Sequence, residues 1–126
     1  VGICGGTGGG TFLDVPQIVR HLFAAEPMLV GKQYRITGYV VMPDVSLTVA
    51  NDSSKEVLRR NAYAALKELD FWMQVGTHKT PFTAQYDAET KIAWTQQAPY
   101  DRCVLLCGED TQGKPFENPK DAVCRT

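Results

Sequence analysis

The chain has 126 residues, 44% of them apolar and 21% charged, and a formal net charge of −1. That is enough for one domain with one core, and the charge balance argues against a nucleic-acid or anionic-membrane surface, either of which calls for a basic excess. No apolar run approaches the ~20 residues needed to cross a bilayer, so no direct membrane insertion is expected.

"VGIC" reads as the end of a buried strand. Five glycines and two threonines follow it without a break, from Gly5 to Thr11. Beyond them Val15, Ile18, Val19 and Leu22 recur at helical spacing, which predicts an amphipathic helix over about 12–25 with that stripe facing inward. Pro16 fits only if the helix starts close to Thr11. "YRITGYVVMP" (34–43) has the β-branched and aromatic content of a buried strand, and "DVSLTVAND" reads as the loop after it.

Ser53, with Glu56 three residues on, forms a capping box. The helix it opens, 54–74, carries Leu58, Ala62, Ala65, Leu69 and Met73 on one stripe and polar residues opposite. Phe71, Trp72 and Met73 cap a core, and Glu68 and Asp70 belong to a solvated face. His21 reads as a packing or surface histidine and His78 as a loop residue.

Residues 80–97 predict a hairpin with a polar turn at 87–90, and "DRCVLLC" (101–107) a central strand. The polar tail, 108–126, holds at most a helix starting near Asn118. Of the four cysteines, Cys103 and Cys107 lie roughly 13 Å apart at ~3.3 Å per residue of strand. That spacing suits neither a disulfide nor shared metal ligation, even with His78. Cys4, Cys103, Cys107 and Cys124 therefore read as reduced cytosolic thiols, which places the chain in the cytoplasm.

Strands alternating with helices predict an α/β fold: a Rossmann-like parallel sheet with flanking helices, plus a β-hairpin, in a single domain. Ligands of such sheets bind beyond the carboxyl ends of the strands. The segments Gly5–Thr11, Asp44–Asp52 and Gly108–Asp110 all follow strands, so all three are expected on that rim. A glycine run between strand and helix lets backbone N–H groups approach an anion, aided by the helix dipole. Gly5, Gly6, Thr7, Gly8, Gly9, Gly10 and Thr11 are thus candidate phosphate-binding residues. A Walker loop is excluded because no lysine lies nearby. A dinucleotide fingerprint can be traced from Gly5, but its acidic partner, Asp44, comes later than the ~20 residues that pattern requires.

The run Cys4–Gly10, "CGGTGGG", resembles the signature loop of the tubulin/FtsZ superfamily, G-G-G-T-G-[ST]-G, at five of seven positions. Cys4 replaces the first glycine and Gly9 the hydroxyl residue. "PDVSLTV" (43–49) and "NAYAAL" (61–66) follow in the family's order. "ALKELD" and "PYDR" are similar to divergent bacterial tubulin-like proteins. The resemblance implies an internal, incomplete part of a GTP-binding domain from a filament-forming GTPase. It implies GTP or GDP as ligand, Mg²⁺ at the terminal phosphates and self-association. It assigns Val45 and Ser46 to the ribose and makes Arg60 a further ribose or base candidate. Glu109 or Asp110 stands where the family reads guanine with an asparagine. No catalytic residue is expected within 1–126, because the family's acidic loop follows later in the chain. A nonenzymatic nucleotide-binding scaffold and a Rossmann-type dinucleotide domain are the alternatives.

Overall fold

The computed structural model describes residues 1–47, 50–75, 77, 81–86, 88, 91–94, 97–110 and 112–115. Its elements in chain order are α1 (Gly6–Thr11), α2 (Asp14–Ala25), β1 (Thr37–Val41), α3 (Pro43–Leu47), α4 (Asp52–Met73), β2 (Phe82–Gln85), β3 (Lys91–Trp94) and β4 (Arg102–Leu106). The fold is α/β, as the alternation predicts. β1 and β4 pair in parallel, with Tyr39 opposite Val104. Gly2 bridges to Val41, also in parallel, and the Val41 N–H donates to Val1 O at 2.8 Å. β1 therefore lies between the amino-terminal stub and β4, so among the described residues β1 is the central strand and β4, expected to be central, lies at the edge. The hairpin forms separately from β2 and β3, antiparallel, with Phe82 opposite Trp94. His78, Cys124 and the tail from 116 on lie outside the described residues, as does most of the expected 87–90 turn.

The core joins Ile3, Cys4, Phe12 and Leu13 to Val40, Tyr100 and the Ala62–Ala65–Leu69 stripe of α4. Leu58, Leu66, Trp72 and Met73 pack against its edge. The Tyr100 ring covers Gly38, where a Cβ would come within 2.8 Å of it, and its hydroxyl donates to Phe12 O. Burial of that phenol, with a smaller push from Cys103, raises its pKa to about 12.

Four local expectations change. First, the glycine run is not a loop, because α1 occupies it from Gly6 onward. Second, α2 begins at Asp14 with Pro16 inside its first turn, and it buries Pro16, Gln17 and Arg20 while Val15 and Leu22 stay exposed. Arg20 sets that rotation. Its Nε donates to Ala98 O (3.0 Å) and lies 3.3 Å from Pro99 O, and its Nη2 pairs with Asp101 at 3.1 Å. A buried guanidinium requires such partners, so ionic anchoring outweighs the apolar stripe.

Third, the segment after β1 turns into α3 rather than a loop. Fourth, Asn51, not Ser53, caps α4, with its side chain accepting from Ser54 N–H at 3.0 Å. Glu56 pairs with Arg60 instead of closing a capping box. Among the described residues the cysteines are free thiols: Cys4 buried, Cys103 half-buried and Cys107 exposed. Burial pushes the Cys103 thiol pKa up. No helix of the described residues is long and apolar enough to cross a membrane.

Candidate functional site

Three segments meet beyond the carboxyl ends of the parallel strands. The Cys4 thiol donates to Ser46 Oγ at 3.2 Å, tying the glycine run to α3. Asp44 Oδ2, also on α3, accepts the Gly108 N–H at 2.5 Å, tying α3 to the loop after β4. Asn61 on α4 donates from Nδ2 to Cys4 O at 3.3 Å. Four pieces of chain, distant in sequence, are thereby held at one rim.

The amino end of α1 faces this junction. Gly5 is its N-cap and, having no side chain, gives the helix no side-chain cap. The first backbone bond runs from Gly9 N–H to Gly5 O at 3.1 Å, so the N–H groups of Gly6, Thr7 and Gly8 precede the helical ladder and have no partner within it. A cleft of about 290 Å³ opens alongside, lined by Gly5, Gly6, Gly9, Gly10, Asn61 and Glu68 among others.

The glycines divide into two kinds. A Cβ on Gly8 would overlap the Gly2 carbonyl oxygen, and one on Gly9 would sit 2.9 Å from Ile3 O. Those two let α1 lie directly on the amino-terminal stub. Gly5, Gly6 and Gly10 have nothing within 4 Å of their Cβ positions, so their bareness leaves space that packing does not use.

A family profile described as tubulin like matches residues 1–126, the whole chain. The chain belongs to the tubulin-like family. No curated protein and no solved structure gave a match.

In this tubulin-like chain the expected site residues fall into unequal positions. Gly5 to Gly8 form the open amino end of α1. Thr11 sits at its far end, roughly 8 Å along at ~1.5 Å per residue, and its hydroxyl donates to Thr7 O at 2.9 Å. Val45 is buried, with its Cα and a side-chain methyl group both beside Gly108. Ser46 is half-buried beside Cys4.

Arg60 is exposed and paired with Glu56 at 2.6 Å. The carboxylate of Asp110 closes its own turn, accepting the N–H groups of Gln112 and Lys114 at 2.8 and 2.9 Å. Glu109 is exposed and bridges to Pro115. Asn61 is the residue that sequence reasoning passed over. Asn61 lies four positions before the buried Ala65 and so on the same helical face, which was the available signal. Asp44 was expected on this rim, but nothing in the sequence marks its bond to a backbone N–H 64 residues away.

Proposed function

We propose that this tubulin-like chain binds a guanine nucleotide at the carboxyl rim of its parallel sheet, as part of a cytoplasmic, self-associating GTPase. The observation that carries the reading is the convergence there of α1, α3 and the loop after β4, beside three N–H groups that have no partner within the helical ladder. The N–H groups of Gly6, Thr7 and Gly8 would receive phosphate oxygens, with the positive end of α1 adding to the field. Gly5, Gly9 and Gly10 line the cleft alongside, the Thr7 hydroxyl would add a further donor, and Thr11 would have to release Thr7 O to contribute. Val45, through its backbone, and Ser46 would contact the ribose, and Asp44 Oδ1, buried without a partner among the described residues, is a further acceptor there. Glu109 is the better placed of the two acids to accept from the base, because Asp110 is engaged in its turn. Arg60 would have to exchange Glu56 for the nucleotide.

Among the described residues no group of three or more His, Cys, Asp or Glu side chains comes together. Mg²⁺, which the family resemblance implies, is commonly held by substrate phosphates with one or two carboxylates and several waters. When bound, it would neutralise charge on the terminal phosphates. The residues of this chain position phosphates and stabilise charge, which is most of what phosphoryl transfer requires of a protein. The acids that activate water would come from a neighbouring subunit.

Competition among GTP, GDP, ATP and NAD against a fluorescent guanine nucleotide tests specificity, with GTP or GDP expected to bind tightest. NAD binding as tightly would favour the dinucleotide alternative. The phosphate cradle is tested by Gly6→Val rather than at Gly8, because the space at Gly6 is open. A helical Cβ leans toward the amino terminus, so valine there should crowd the N–H groups and weaken binding at least tenfold, with melting little changed. Unchanged affinity would refute the cradle.

A further inference from the structure

A second concavity lies at the opposite, amino ends of β1 and β4. The five residues of β1, roughly 16 Å of strand at ~3.3 Å per residue, separate it from the glycine run. It measures about 540 Å³ and is lined chiefly by Arg20, Lys32, Tyr34, Arg35, Gln97 and Asp101.

The chain builds this hollow by reversing after α2. Glu26 O accepts the N–H groups of Leu29 and Val30 at 2.9 and 3.1 Å, and Gly31, at φ +80°, takes the left-handed conformation that completes the turn. Residues 32–35 then run back beside α2. The Tyr34 ring packs on Phe23 with centroids 4.2 Å apart, and the Arg20 guanidinium lies 5.8 Å from the Tyr34 centroid. Asp101 Oδ2 accepts both the Ile36 N–H at 2.7 Å and Arg20. The wall is thus fixed by a buried cation, its carboxylate and a closely packed, tilted aromatic pair.

Arg20 and Asp101 neutralise each other. Lys32 and Arg35 are exposed, and among the described residues neither has a carboxylate within ion-pair distance. The described lining therefore carries three cations against one anion, a surplus of two positive charges around a preformed hollow. In a chain of net charge −1 that surplus is local. Two unpaired cations beside a low-dielectric wall attract an anion more strongly than isolated surface charges do.

We infer that this hollow binds a small, multiply charged oxyanion, with Lys32 and Arg35 supplying charge and Arg35 a planar donor fork for phosphate or carboxylate oxygens. The site is independent of the proposed nucleotide rim. Its test is calorimetry and amide-shift mapping with pyrophosphate and, separately, citrate, on the wild-type chain and on Lys32→Glu/Arg35→Glu. At least one probe should bind, shift residues 32–35, and lose affinity at least tenfold in the double variant and at raised salt. Which probe binds identifies the source as phosphate or carboxylate. A Lys32→Gln/Arg35→Gln variant, expected to weaken binding less, serves if charge reversal disturbs folding. Neither probe binding, or binding that maps to residues 5–10 and is indifferent to these variants, would overturn the inference.

Discussion

Gly8→Ala and Gly10→Ala add the same methyl group to the same short helix, yet the structure gives them opposite signs. At Gly10 the new Cβ meets nothing within 4 Å, so alanine should gain the helix-propensity advantage over glycine, about 0.5–1 kcal/mol. At Gly8 the Cβ overlaps the Gly2 carbonyl oxygen and comes within 3.2 Å of its carbon, against ~3.5–4.0 Å for carbon atoms at their best separation. Gly2 cannot give way easily. Its neighbour Val1 accepts the Val41 N–H at 2.8 Å and donates from its amino group to Tyr39 O at 2.6 Å.

Relief at Gly8 requires either a shift of α1 or loss of those two bonds, each worth about 1 kcal/mol, with exposure of Ile3 besides. Against the propensity gain, the net loss is about 2 kcal/mol, within the ordinary range for overpacking. At roughly 4 °C per kcal/mol for a chain of this size, Gly8→Ala should melt about 8 °C lower and Gly10→Ala a few degrees higher. Urea and thermal unfolding followed by circular dichroism measure both. A Gly8→Ala protein as stable as wild type, or two variants shifted equally in the same direction, would refute the close approach of α1 to the amino-terminal stub.

Asp101→Asn should destabilise by about 3 kcal/mol, because it strips the charge partner from a buried guanidinium; urea unfolding checks this. Gln17→Met should stabilise by about 1 kcal/mol, since both Gln17 amide atoms are buried without partners among the described residues and leaving such groups unpaired costs that much; an unchanged or lowered urea midpoint contradicts it. Tyr100 bears on alkaline stability. Unfolded tyrosine ionises near pH 10 while the buried phenol holds its proton to about 12. Between those values the unfolded chain binds fewer protons, so stability falls as pH rises through the window, and Tyr100→Phe should flatten that slope and remove the phenolate absorbance step near pH 12.

The parallel β1–β4 pair, the hairpin and α4 were legible because each depends on a local pattern: a β-branched run, two short strands about a polar turn, an apolar stripe every three or four residues. The glycine run and the two motifs after it carried the family, since their order along the chain survives any uncertainty about where each helix begins. Tertiary structure decided what those patterns left open. A periodicity shows that α2 has an apolar side, but only the carbonyls of Ala98 and Pro99 and the carboxylate of Asp101 determine that Arg20 turns inward and Val15 out. Composition shows five bare glycines, yet Gly8 differs from Gly10 only through the carbonyl of Gly2 across the gap. The rim itself is joined by contacts spanning 42, 57 and 64 residues, and the two longer ones end on a backbone group, which leaves no mark on the residue type that supplies it.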